Sequence, residues 1–325
     1  MTPPPRTPRT PLTPRTPTAP RTPLATRTPI TPKGVERPAR TPLAPRPAVT
    51  RPAAAAPARP SVGTASLKSD DFTALCELVR SLCGVDLLQY KRNQMERRVR
   101  TWTERRGTPD LTEYGKILRK DSEELDAFLD RVTINVSHLW RHEDQFEVLR
   151  NKILPELAER KRLKIWSAGS SYGAEAYTIA AVCRETIPNI PVEIVGTDLD
   201  KRMVARAREG YFTPEDARTS PKAMLQKHFT PRTDGGWQAK PELKRMVRFE
   251  SGDLLRMAVP SARYDVVFCR NTVIYFTEEV RDALHERLVK AMSPGGYLVV
   301  GTSERVSDPK ALGLTSPYHF IYQKS

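Results

Sequence analysis

The chain has 325 residues, a formal net charge of +15, 30 prolines and four cysteines. No apolar run approaches the roughly 20 residues that span a bilayer, and the N-terminus lacks a secretory hydrophobic segment, so neither stable membrane insertion nor export is expected. Cys76, Cys83, Cys183 and Cys269 stand far apart without a C-x-x-C pair, which argues against a zinc site or a disulfide framework and for reduced thiols in a cytoplasm.

Residues 1–66 read as a tail. Its first 60 residues hold 18 of the 30 prolines and carry a net +10, leaving about +5 for everything after them. Arg-Thr-Pro occurs six times, starting at residues 6, 9, 15, 21, 27 and 40. Proline at this density removes backbone donors and biases its neighbours to extended backbone. With few large apolar side chains, the segment has nothing to offset the entropy of ordering, so a disordered, polyproline-like tail is expected. It is either a solubilising spacer or a contact for an unidentified acidic partner, with nine Thr-Pro steps as candidate phosphorylation sites.

Residues 67–145 read as a helical domain. Asp70 or Ser69 can cap a helix with Phe72, Leu75, Leu78, Val79 and Leu82 on one face, and Gly84 stops it. A helix at about 90–106 packs Met95, Val99 and Trp102 at i, i+4 and i+7. Arg97 and Arg100 fall opposite that face, and Arg98 and Arg105 flank it. They form either a solvated charged face or a basic surface for an acidic partner. Helices at 111–119 and 122–132 follow.

Residues 146–325 alternate. Strands are expected at 163–167, 192–197, 246–250, 264–269 and 296–301, with helices between, and Tyr318 to Gln323 reads as a last strand. This rhythm gives an α/β fold with a doubly wound, mostly parallel sheet. Residues about 210–245 break it. There Asp234-Gly-Gly between short strands is a hairpin signal, so a small antiparallel β-subdomain is inserted.

The most informative stretch begins at Leu163. An apolar strand runs into the small-residue turn Ser167 to Gly173, a helix follows, and the next strand ends at Asp198. Strand, glycine turn, helix, strand and acid form the layout of a site for an adenosine-bearing cofactor. Gly169-x-x-x-Gly173 fits neither the dinucleotide fingerprint nor the phosphate loop. A looser turn suits a cofactor without phosphates, S-adenosylmethionine.

Five ordered motifs then carry a resemblance. They are Asn135-x-Ser137…Arg141; Trp166-Ser-Ala-Gly-x-Ser-x-Gly-x-Glu175-x-Tyr177; Thr197-Asp198-Leu-Asp200; Phe268-Cys-Arg-Asn271-x-x-Ile-Tyr275-Phe276; and Pro294-Gly-Gly-Tyr-Leu…Gly301-x-Ser-Glu304. Over about 68–324 the chain resembles the chemotaxis receptor methyltransferases of the CheR type. That resemblance implies a helical N-terminal domain on a class I S-adenosylmethionine-dependent methyltransferase fold, with a small inserted β-subdomain. It also implies methyl transfer to glutamate side chains on the acidic cytoplasmic helices of chemoreceptors. By the same resemblance, Asn135, Ser137 and Arg141 line the cofactor's amino-acid end, and Glu175 lies in the pocket. Asp198 takes the ribose, Asp253 and Leu254 flank the adenine, and Asn271 and Thr272 close the pocket. Arg141 and Tyr275 are the expected catalytic residues; no metal is expected, and the enzyme is expected to be a monomer.

The chain departs from the family pattern at several places. Ser137 keeps a hydroxyl, while Leu139 loses a ring. Ala174 and Ala176 replace an acid and a proline, and Asp253 stands for an asparagine. Tyr172 replaces a threonine, which would set a large ring beside the cofactor.

The chemistry asks little of proton transfer. A glutamate side chain ordinarily titrates near pH 4.3 and is ionised at pH 7, so no general base is required. What remains is alignment of acceptor oxygen, methyl and sulfur. Arg141 can hold a carboxylate by its fork of donors. Two other classes stay in view. A nucleic-acid methyltransferase would usually carry [D/N]-P-P-[Y/F] where this chain has Arg270-Asn271-Thr272-Val273, so no nucleic acid is expected as a partner. A catalytically weak cofactor-binding scaffold is suggested by Leu139, Tyr172 and Ala174.

Overall fold

The computed structural model describes residues 70–132 and 137–325; the proline-rich tail and Asn135 lie outside the described residues. Helix α1 (Asp71–Cys83) begins where Asp70 accepts the Thr73 amide and ends where left-handed Gly84 donates back to the Arg80 carbonyl. Both ends are the side-chain and glycine caps that satisfy orphaned backbone groups. Helices α2 (Arg92–Arg105), α3 (Leu111–Lys120) and α4 (Ser122–Val132) follow. They close on Phe72, Val79, Leu87, Met95, Val99 and Phe128. Tyr114 and Glu124 are buried among them, and Glu124 accepts from both Tyr114 Oη (2.6 Å) and Arg106.

The arginines of α2 do not share one free face, as the helical wheel suggested. Arg100 pairs with Asp71 (2.9 Å) and Glu96 (2.8 Å). Arg98 turns inward over the Tyr275 ring. Arg97 and Arg105 remain exposed.

The described residues after α4 supply ten strands: β1 (Leu163–Ala168), β2 (Val192–Asp198), β3 (Tyr211–Phe212), β4 (Phe229–Pro231), β5 (Trp237–Ala239), β6 (Val247–Ser251), β7 (Tyr264–Cys269), β8 (Met292–Val300), β9 (Leu314–Tyr318) and β10 (Ile321–Lys324). Seven form one sheet in the order β6-β2-β1-β7-β8-β10-β9. The pairs β6–β2, β2–β1, β1–β7 and β7–β8 are parallel, and β10 runs antiparallel to β8 and β9. The doubly wound, mostly parallel expectation holds. One element differs: Tyr318 to Gln323 is not a single strand but the bend of a hairpin, turning at His319 and Phe320. Phe320 takes φ 61° there. The turn positions carry no glycine or asparagine, and the one nearby signal, Ser316-Pro317, falls inside β9 just before the turn.

The helix Ala174–Thr186 is buried nearly all round, against β2 and β6 on one side and against the helical segments Leu149–Leu157 and Pro241–Lys244 on others. Ala174, Ala176, Ile179, Ala180 and Ala181 are all fully buried. Small side chains let it sit close, and apolar residues on every side mark it as an interior helix. Strands β3, β5 and β4 form the separate antiparallel unit, with β4 and β5 as its hairpin. In the main sheet the strand order reverses between β1 and β7, and open α/β sheets bind ligands at the carboxyl ends of strands at such a point.

Candidate active site

The carboxyl ends of β1, β2 and β7 open into a cavity of about 550 Å³. Its walls bring together residues distant in sequence: Ser137 and Arg141, Glu175, Asp198, Asp253 and Leu254, and Asn271, Thr272 and Tyr275. Every described residue expected at the site lines this one cavity. Asn135 lies outside the described residues. The helical domain closes the other side with Gln89 and Tyr90.

Two glycines shape the turn, and Gly169 lines the cavity. Gly169 has φ +78°, and a Cβ there would come 2.5 Å from Thr272 Oγ1. Gly173 has φ +86°, and a Cβ would come 2.8 Å from Phe249 Cζ. Only glycine permits both the left-handed backbone and the close approach. Non-glycine strain gathers here too. Trp140 (φ 55°) and His142 (φ 59°) flank Arg141, and Ser171 (φ 47°) and Asn271 (φ 58°) line the cavity. Such clusters of left-handed residues mark functional sites, where the surrounding fold holds them.

Asp198 stands at the end of β2. Its oxygens accept the Ser171 amide (2.7 Å) and the Asp200 amide (3.0 Å). Burial raises its carboxyl above the usual range, and those amide bonds oppose the rise. Glu175 accepts from Ser167 Oγ (2.7 Å) and Arg270 Nη1 (3.2 Å). Burial raises the Glu175 carboxyl and lowers the Arg270 guanidinium, and their mutual attraction opposes both shifts.

Arg270 had no role assigned from sequence. Its side chain is 3 % exposed, bonds Glu175 and the Arg141 carbonyl, and lies over the Phe146 ring. It thereby ties the Arg141 loop to the end of β7. Glu304 was also missed. It accepts the amides of Asn271 (2.8 Å), Ile274 (3.2 Å) and Gly301 (2.6 Å), which holds the Asn271–Tyr275 loop from within. Both residues lay inside quoted motifs, but where a long side chain reaches is decided by tertiary packing.

Tyr172 corrects the sequence reading. It does not line the cavity. Its ring is 3 % exposed and lies under the Arg206 guanidinium at 3.9 Å. Its hydroxyl sits between the Ser137 carbonyl and Asp216 Oδ1. The replacement for threonine therefore braces the Ser137 loop from behind. Leu139 and Ala174 are likewise fully buried and absent from the cavity wall.

The donor set fits S-adenosylmethionine. Arg270 Nε and Ser170 Oγ are buried, line the cavity, and find no hydrogen-bond partner among the described residues. A cofactor with an amino-acid carboxylate and two ribose hydroxyls supplies such partners. The turn from Gly169 to Ser171 lines the cavity, and no lysine follows Gly173 as a phosphate loop would require. Among the described residues no helix is long and apolar enough to cross a membrane.

Strand order and site together define a class I S-adenosylmethionine-dependent methyltransferase. Residues 70–133 match the family model described as CheR methyltransferase, all-alpha domain, and residues 135–317 match CheR methyltransferase, SAM binding domain. The chain belongs to the CheR methyltransferase family. It is 30% identical to a chemotaxis protein methyltransferase of Listeria innocua, over 78% of this chain and 97% of that protein. A chemotaxis protein methyltransferase of Borreliella burgdorferi is 31% identical, over 78% and 94%. Chemotaxis protein methyltransferase 1 of Pseudomonas aeruginosa is 31% identical, over 75% and 93%.

Proposed function

We propose that this protein is a cytoplasmic protein-glutamate O-methyltransferase. It esterifies glutamate carboxylates on the acidic cytoplasmic helices of chemoreceptors and so serves sensory adaptation. The observation that carries the reading is the convergence of Arg141 and Tyr275 on the cavity that also holds Asp198, Asn271 and Thr272. A carboxylate-binding fork and a phenol share a chamber with a cofactor site. Arg97 and Arg105, exposed on α2, are candidate contacts for the acidic receptor helix.

S-adenosylmethionine, when bound, supplies a methyl group on a sulfonium. Asp198 would accept the ribose hydroxyls, and Asp253 and Leu254 would hold the adenine. Ser137 would hold the amino-acid end with Glu175, and Asn271 and Thr272 would close the chamber. Arg141 orients the acceptor carboxylate. A tight ion pair in the ground state would blunt the nucleophile, so its contribution is geometry rather than charge neutralisation. Tyr275 directs a hydroxyl into the same space. No proton moves, because the acceptor is already ionised.

The test separates chemistry from binding. Arg141→Ala should lose methyl transfer to receptor-containing membranes by roughly a hundredfold or more, while calorimetric binding of S-adenosylhomocysteine stays within about threefold of wild type. Equal loss of both would make Arg141 a cofactor contact only and overturn its acceptor role.

A further inference from the structure

The loop that carries Tyr275 is held from two domains. From within the sheet, Glu304 takes the amides of Asn271 and Ile274. From the helical domain, residues 89–91 run beside it as a short antiparallel strap. Lys91 N donates to the Tyr275 carbonyl (2.8 Å), and Thr277 N donates to the Gln89 carbonyl (3.1 Å). Tyr90 and Phe276 form the bridge between these bonds, with ring centroids 5.0 Å apart. Further along α2, the Arg98 guanidinium lies over the Tyr275 ring at 5.0 Å. The same guanidinium donates through Nη1 to the carbonyl of Val132 (3.2 Å), the last residue of α4. One planar cation thus bridges the phenol and the C-terminal end of α4.

We infer that Arg98 is a positioning residue for methyl transfer, which fixes the Tyr275 ring against the C-terminal end of α4. The inference rests on the proposed methyltransferase reading. It divides the basic helix into two jobs. Arg97 and Arg105 face solvent, whereas Arg98 is turned into the domain junction and serves the enzyme's own active site. Arginine suits the place because its flat guanidinium stacks on a ring while an edge N–H reaches a carbonyl. The helical domain then completes the active site instead of only covering it.

The experiment measures Arg98→Gln, Arg97→Gln and Tyr275→Leu, singly and with Arg98→Gln and Tyr275→Leu combined, on the full chain. The readouts are methyl transfer to receptor-containing membranes, S-adenosylhomocysteine binding and hydrogen exchange over residues 273–277. Arg98→Gln should lower kcat by about ten- to a hundredfold, with receptor KM and cofactor Kd within about twofold. Arg97→Gln should raise KM and leave kcat. In the Tyr275→Leu background the Arg98 substitution should add little, because the ring it positions is gone. Exchange over 273–277 should speed in Arg98→Gln. If that variant folds poorly, Arg98→Lys replaces it; lysine keeps the charge without the bridging fork and should lose kcat in the same direction. A rise in receptor KM with kcat unchanged would make Arg98 a docking residue and overturn the inference. Multiplicative losses in the double variant would also overturn it, as would unchanged exchange over 273–277. Should wild type transfer no methyl to receptor, the functional reading fails first, and the exchange arm alone decides whether Arg98 holds the Tyr275 loop.

Discussion

Gly169→Ala tests the geometry of the cofactor turn most sharply. At φ +78° an L-residue costs about 1–2 kcal/mol in backbone strain alone. The added Cβ would then lie 2.5 Å from Thr272 Oγ1 and 3.3 Å from its Cγ2. The first contact is far inside van der Waals separation, and a β-branched threonine has few rotamers in which to escape. The backbone of the turn must move, and with it the chamber wall. Gly313→Ala is the control: its φ is +67°, but an added Cβ meets nothing within 4 Å. Gly313→Ala should lose about 1 kcal/mol, seen as a fall of about 2–4 °C in thermal midpoint, and should keep cofactor affinity. Gly169→Ala should lose more stability and weaken S-adenosylhomocysteine binding at least tenfold, equivalent to about 1.4 kcal/mol, by calorimetry. Adding Thr272→Ala should recover part of that affinity by opening the space. A Gly169→Ala protein that binds as wild type does would refute the reasoning, because the turn would then not form the wall of the site.

Two further perturbations follow from buried groups. Tyr172→Phe removes the hydroxyl that lies between the part-buried Ser137 carbonyl and Asp216, which keeps Arg206 and the Thr213 amide as donors. About 1 kcal/mol of stability should go in urea titration, with methyl transfer falling more than cofactor binding; no change in either would show the brace to be idle. His285 is fully buried in the helix Glu278–Ala291, and neither ring nitrogen finds a partner among the described residues. Burial lowers its pKa to about 4, against the opposing pull of Asp282. The unfolded chain takes up this proton near pH 6.5 and the folded chain does not, so stability is full above that pH and drains as pH falls toward about 4. Between about pH 7.5 and pH 5 this one group should remove about 2 kcal/mol. His285→Leu should be less acid-sensitive by that amount in urea titrations at the two pH values, and an unchanged difference would show that the histidine is protonated in the fold.

Much of this architecture was legible in the sequence because its signals are local. The strand from Leu163, the small-residue turn and the acid Asp198 announce a cofactor crossover, and Asp234-Gly-Gly announces the hairpin of the inserted sheet. Caps did the same for α1, where Asp70 and Gly84 mark both ends. What was not legible depends on reach across the fold. Arg270 and Glu304 act through long side chains that bond backbone far away in sequence. Tyr172 occupies a cofactor-turn position but points to the opposite side, toward Asp216 and Arg206, because a left-handed Ser171 and Gly173 bracket it. A helical wheel sets Arg98 beside a charged face, and a wheel has no knowledge of the second domain that α2 packs against. The bend at His319 and Phe320 escaped because it uses none of the residues that favour turns.

The central claim is that glutamate carboxylates of a receptor become methyl esters. Incubating the full chain with methyl-labelled S-adenosylmethionine and receptor-containing membranes tests it most directly. Label on receptor protein should be released as methanol by mild base and should be lost with Arg141→Ala. Label that resists base, or no label on receptor from a protein that binds the cofactor, would contradict it.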